Sequence, residues 1–277
     1  MMIGIATFLL TIQATQTLLP VSDLLDCARE ADVTLVAVHR AGGFAPGIPE
    51  NSLSGVRRAA EIGAAFAEID LRETADGEIV LMHDAEIDRT TTGEGRIANH
   101  TLDQLREFYL VDNEGHTTRD RIPTLTEAFS VAQNVGVYLE LDLKGISPER
   151  AAQLVVSAGM ESQTLIIVYD VADAGPIQAI STDIGISLPF TNRNEVLSSE
   201  LDYGPLISWV GRGIPNARTE AFLTGQQIET AMHDFPAESE GTIDYAFIDL
   251  MHIELLASDD PAAAVEVFGN FALYCRP

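Results

Sequence analysis

Residues 36–84 constrain this chain more than any other stretch. An apolar run, Leu35 to Val38, ends in His39-Arg40 and a glycine turn. A helical pattern over residues 52–62 follows, and a second apolar run closes on Glu68-Ile69-Asp70. A third run, residues 79–82, delivers His83-Asp84. In a strand, residues two apart project from the same face. Glu68 and Asp70 therefore stand side by side, as two oxygen ligands for a hard cation would. Two histidines, an arginine and paired carboxylates thus lie at or just past the C-terminal ends of strands. In proteins built of alternating strands and helices, those ends form the active face. The pattern points to metal-assisted acid–base chemistry on an anionic substrate.

The remaining chain supplies the strands and helices around that stretch. Residues 21–31 read as a short helix, and residues 34–38 and 65–71 as strands, with Asn51 or Ser52 capping the helix between them. Asp76-Gly77 turns the chain into residues 78–82. Residues 85–121 break the rhythm with RTTTGEG, a short helix at 102–108 and the polar DNEGHTTRD, a loop-rich insertion over the mouth of the fold. Alternation then resumes, with strands expected at 136–143, 164–168, 184–188, 206–210, 228–233 and 254–257. Helices are expected at 124–134, 148–158, 172–180, 192–197, 217–223, near 242–250 and at 261–268. With residues 78–82 as an extra strand, eight remain, which predicts an α/β fold closed as a (β/α)8 TIM barrel.

A chain of 277 residues, 46% of them hydrophobic, can bury the core this needs. The formal net charge of −26 argues against a nucleic-acid partner, because 16 Lys+Arg among 42 Asp+Glu leave no basic face for phosphate backbones. An anionic small-molecule substrate must then rely on local positive charge from Arg40, Lys144 and a metal. Distant surface charge is screened beyond about 8 Å at physiological salt.

Residues 1–20 read as a signal peptide or as an N-terminal segment packed on the barrel of residues 21–277. The apolar run at residues 2–10 is too short to span a bilayer, and no transmembrane segment is expected elsewhere. Ile-Gln-Ala at 12–14 would serve as a cleavage site, although no basic residue precedes the run. The expectation is a periplasmic or secreted protein, with a cytoplasmic one as the alternative. Cys27 and Cys275 are too few for a structural zinc site. In a barrel, the segments that carry them both lie at the bottom. Free buried thiols are one reading, and a bridge in an exported chain is the other.

Several motifs together resemble the glycerophosphodiester phosphodiesterase family. They are His39-Arg40, Pro49-Glu50-Asn51, Glu68-Ile69-Asp70, Thr74-Ala75-Asp76-Gly77, His83-Asp84, Arg89-Thr90-Thr91-Thr92-Gly93, Ile122-Pro123-Thr124-Leu125 and Asp142-Leu143-Lys144. They stand in the family's order over residues 35–145. The match then thins to Ser258-Asp259-Asp260-Pro261, similar to the family's closing T-D-x-P. The resemblance implies a (β/α)8 barrel with a small insertion after strand two. It also implies hydrolysis of glycerophosphodiesters to glycerol 3-phosphate and an alcohol. By the same resemblance His39 and His83 are the acid–base pair, and Glu68, Asp70 and Asp142 hold a divalent cation, Ca2+ or Mg2+. Arg40, Lys144 and Glu50 would serve substrate binding. Imidazole titrates near pH 6.5 and can take or give the proton this reaction moves.

Two positions depart from the family's pattern. Ala41 replaces a usual glycine, with Gly42-Gly43 expected to supply the turn. Asp142 stands where many relatives have Glu, which leaves a lysophospholipid or a sphingomyelin-like phosphodiester as alternative substrates. A non-catalytic ligand-binding barrel is the rival from another class. Glu140, Asp142 and Lys144 share one strand face, and Asp142 lies nearer the C-terminal end. Asp142 is therefore the expected ligand, and Glu140 is expected to find a partner inside the barrel.

Overall fold

The computed structural model describes residues 18–42, 45–213, 216–275 and 277; the leader reading falls largely on residues 1–17, outside the described residues. The strands are β1 (Leu35–Val38), β2 (Phe66–Glu73), β3 (Ile79–Leu81), β4 (Tyr109–Val111), β5 (Thr117–Arg121), β6 (Tyr138–Leu143), β7 (Thr164–Ile167), β8 (Gly185–Leu188), β9 (Leu206–Arg212), β10 (Glu229–His233) and β11 (Leu255–Ser258). Eight of them, β1, β2 and β6 to β11, pair in parallel, and β11 returns to β1. The sheet is closed, and the (β/α)8 barrel follows from the alternation in the sequence.

Side-chain alternation divides the core into two shells. Ile69, Leu139, Leu141, Ile166, Ile186 and Leu256 point outward and pack with helix residues such as Val56, Ala59, Ala132 and Val155. Leu35, Ala37, Phe66, Tyr138, Leu165, Ile207 and Leu255 gather with Val21, Leu24, Leu25 and Ala28 of the first helix, Val21–Ala31. That helix plugs the end of the barrel where the strands begin, which leaves the other end for chemistry. It also carries Cys27, which is bonded to Cys275 with the Cα atoms 5.8 Å apart. Of the two readings of these cysteines, the bridge is the one present.

The helix at Pro148–Ala158 has the predicted bounds because both ends are marked: Ser147 caps it, Pro148 opens it, and left-handed Gly159 ends it. The insertion is more ordered than its sequence suggests. β4 and β5 form an antiparallel hairpin, and Val80, Met82, Ile87, Ile97, Leu105, Leu110 and Ile122 bury a small core of their own. The helix expected to reach residue 108 stops at Leu105. A helix not foreseen, Phe235–Ser239, follows β10, capped by Asp234 and opened by a proline in its first turn.

Candidate active site

The ladder around β2 explains how the two histidines come to the same edge of the barrel. Leu71 of β2 pairs with Leu143 of β6 on one side and with Leu81 of β3 on the other. Lower down, β1 occupies that second side, with Val38 opposite Ala67. β1 runs parallel to β2 and β3 antiparallel, so their C-terminal ends converge along one edge of β2. His39 leaves β1 and His83 leaves β3 at the level of Glu68 and Asp70. Asp259, just past β11, meets His39 Nδ1 at 2.8 Å, and Asp84 meets His83 Nδ1 at 2.7 Å. Each carboxylate fixes its ring and leaves Nε2 as the other nitrogen. Phe235 stacks on the His39 ring at 4.1 Å.

Glu68, Asp70 and Asp142 each bring a carboxylate oxygen within 4.8 Å of the others, and all three are buried. Burial and the Asp70 charge push the Glu68 pKa well above the carboxylate range. Its Oε2 accepts the Arg40 backbone N–H at 2.6 Å. Asn51 holds Asp70 twice, donating to Oδ2 and accepting from the Asp70 N–H, both at 2.8 Å. Asn51 therefore serves a site carboxylate, and the helix cap falls to Ser52. Lys144 Nζ lies 2.5 Å from Asp142 Oδ2 and 3.3 Å from Asp70 Oδ1. Asp142 Oδ1 is buried with no hydrogen-bond partner among the described residues. Three carboxylates against one ammonium, with one oxygen bare, make a donor set that could hold a hard divalent ion. Glu140 does not join them. The partner expected for it inside the barrel is absent among the described residues, and both its oxygens are unpaired.

Arg40 and Ala41 both adopt left-handed backbone, φ 52° and 48°. Arg40 and Ala41 thus bend the chain directly after β1; Gly42-Gly43 were expected to supply the turn, and Gly43 lies outside the described residues. Gly42, at φ −124°, gives clearance: a Cβ there would lie 2.8 Å from the Glu50 Cα. Glu50 accepts Arg89 through both oxygens, at 2.7 and 2.9 Å, and Arg40 Nη1 at 3.3 Å. Burial alone would raise the Glu50 pKa, yet the two guanidinium groups hold it below its ordinary value. Glu50 thus receives the cations and aims them. Arg40 Nε is buried without a hydrogen-bond partner among the described residues, 4.0 Å from Asp70 Oδ2.

Several residues at this end carry no assigned role in the sequence reading. Arg89 bonds Asp84 at 2.6 Å as well as Glu50 and, with His83, holds the Asp84 pKa down at about 2. Arg72 donates two hydrogen bonds to the His83 carbonyl, at 2.6 and 2.8 Å. His233 lies between Trp209 and Phe235, with ring centroids at 5.1 and 4.4 Å. Burial, helped by the nearby His39, lowers its pKa. The signals for Arg89 and Asp259 were present in the motifs; those for Trp209, His233 and Phe235 were not. A second group, Asp112, Glu114 and His116, also brings ligand atoms together. There Asp112 Oδ1 already accepts the N–H groups of Glu114 and His116, which accounts for the cluster as the turn between β4 and β5.

A family model described as the glycerophosphoryl diester phosphodiesterase family matches residues 39–208. Glycerophosphodiester phosphodiesterase 1 of Bos taurus is 43% identical over 112 residues, 39% of this chain and 33% of that protein. The matches span less than half the length of the curated relatives. A crystal structure of a glycerophosphoryl diester phosphodiesterase from Parabacteroides distasonis superposes with a TM-score of 0.82 at 27% identity, covering 95% of each chain. A phosphodiesterase from Oleispira antarctica, solved with the product sn-glycerol-3-phosphate, shares the fold. Its TM-score is 0.68 at 19% identity, over 86% of this chain and 98% of that one.

Proposed function

Because the chain belongs to the glycerophosphoryl diester phosphodiesterase family, we propose that it hydrolyses glycerophosphodiesters to glycerol 3-phosphate and an alcohol. One observation carries the reading. Two histidines, each with Nδ1 tied to a carboxylate, stand beside three converging buried acids and an arginine whose Nε–H has no hydrogen-bond partner among the described residues. A structural role for a histidine does not call for two such pairs at one edge.

In this mechanism one imidazole takes the proton from the attacking oxygen, of water or of a substrate hydroxyl. The other gives a proton to the departing alkoxide. Asp259 and Asp84 keep the two rings oriented and stabilise the imidazolium that each forms in turn. Arg40 and Lys144 bind the phosphate oxygens, Arg40 with a planar fork and Lys144 as a point charge. Glu50 aims Arg40. Glu68, Asp70 and Asp142 would hold Ca2+ or Mg2+, which when bound polarises the phosphoryl oxygen as a Lewis acid.

The test is release of glycerol 3-phosphate from glycerophosphodiesters of differing head group, with Ca2+ and Mg2+ side by side. Metal-dependent turnover is expected. Absence of turnover across the panel would favour the non-catalytic barrel. Asp142 motivates a lysophospholipid arm, and faster turnover there would move the substrate class to lipids.

A further inference from the structure

Tyr169 stands just past β7 with 64% of its surface exposed, yet its hydroxyl donates a 2.8 Å hydrogen bond to Asp142 Oδ2. An exposed tyrosine can leave its hydroxyl to water. This one reaches across from the neighbouring strand, where Asp142 pairs with Ile167, to a carboxylate that is only 7% exposed.

The two oxygens of Asp142 are consequently in different states. Oδ2 takes two donors, Tyr169 and the Lys144 ammonium at 2.5 Å. Oδ1 is buried and takes none among the described residues. Lysine alone does not create that asymmetry, because its ammonium rotates three donors on a flexible stem and follows whichever oxygen is nearer. A phenol has one donor on a rigid ring, so it selects one oxygen and one carboxylate plane. The short aspartate side chain gives Oδ1 little further reach, and its direction matters accordingly.

We propose that Tyr169 is a positioning residue for the metal site, holding Asp142 so that Oδ1 alone is offered to a divalent cation. This rests on reading Glu68, Asp70 and Asp142 as that site. Tyr169 touches neither the phosphate nor the ion in this role; it acts through Asp142. Because the residue is largely exposed and, among the described residues, its hydroxyl makes this one bond, Tyr169→Phe is expected to keep the fold.

Calorimetric titration of Ca2+ and Mg2+ into the chelator-stripped full chain tests it. Tyr169→Phe is expected to weaken binding roughly tenfold, as loss of an outer partner of a metal ligand does. Its melting temperature in chelator should stay that of the unmodified protein. In an Asp142→Glu background the same Tyr169→Phe change should alter affinity little, because the longer side chain carries its oxygen off the hydroxyl. That non-additivity is a signature a merely structural tyrosine would not give. Affinity of Tyr169→Phe within about twofold of the unmodified protein, or equal losses in both backgrounds, overturns the proposal. If the unmodified chain binds Ca2+ or Mg2+ and Asp142→Asn does not, such a result rejects the tyrosine's role alone. If the unmodified chain shows no saturable binding, the metal-site reading itself fails and takes this one with it.

Discussion

Glu68 and Glu140 stand directly opposite one another in the β2–β6 ladder, yet only Glu68 joins the acidic cluster. The difference lies in what flanks each strand. β2 has the turn after β1 beside it, whose Arg40 N–H binds Glu68. β6 has β7, which places Leu165 opposite Glu140. With no donor among the described residues, burial pushes the Glu140 pKa up to about 8, and Asp142 adds to the effect.

Asp142→Asn should therefore weaken divalent-cation binding and turnover, whereas Glu140→Gln should leave metal affinity near that of the parent. The loss for an acid bound directly to the ion is expected to reach at least the ~10-fold seen for outer partners. Titration calorimetry on the two variants decides it. The reverse pattern would mean that Glu140 is the ligand.

His39→Ala and His83→Ala should each lower kcat by roughly 10²–10⁴ without unfolding the chain, since both rings are half-buried at the mouth. Circular dichroism and the melting temperature control for folding. Parental turnover in either variant removes that histidine from the acid–base pair.

Stability should fall with pH through Glu254. Burial raises its pKa to about 7, although Thr230 donates its N–H at 2.7 Å and its hydroxyl at 3.2 Å to Oε2. A carboxyl raised in the folded state binds its proton more tightly than the unfolded chain, whose value is about 4.3. Its stabilising contribution is therefore complete below about pH 4.3 and is lost as pH rises through about 7, at no more than about 1.4 kcal/mol per pH unit. Glu254→Gln keeps an oxygen for Thr230 and should flatten this decline. Parallel urea-denaturation curves for parent and variant from pH 4.5 to 8 would show that Glu254 does not titrate between those limits.

The Cys27–Cys275 bridge closes a loop of nearly the whole chain. Replacing both cysteines with serine should cost about 2–4 kcal/mol, read as a lower urea midpoint with an active site still competent. A midpoint unchanged by the substitutions, or by reductant, would show that the plug helix is held by its apolar face alone.

Much of the barrel was legible because its signals are local. Apolar runs of strand length, Pro148 opening a helix and Gly159 ending it can be read residue by residue. The hairpin of β4 and β5 was not legible, because Thr117–Arg121 is polar and only partly buried and carries no apolar alternation. The helix Phe235–Ser239 has its cap and proline in the sequence, but five residues give no period to detect. The helix expected near 242–250 shrinks to Tyr245–Asp249 for the same reason.

The sequence by itself determined which side chains share a face and which lie nearest a strand end. It could do so because side-chain alternation along a strand has a period of two. That was enough to set Glu68 beside Asp70 on one strand and Asp142 beside Lys144 on another, and to prefer Asp142 over Glu140 by its place nearer the strand end; joining the three acids as one ligand set came from the resemblance to the family. Only the tertiary structure decided what each of them touches. Asp259 reaches His39 because β11 closes on β1, Arg89 reaches Glu50 because the insertion folds back over the mouth, and Tyr169 reaches Asp142 because β7 pairs with β6 in one register. Those contacts depend on the stagger between strands and on how the barrel closes. Both are properties of the whole sheet and leave no trace in any short run of residues.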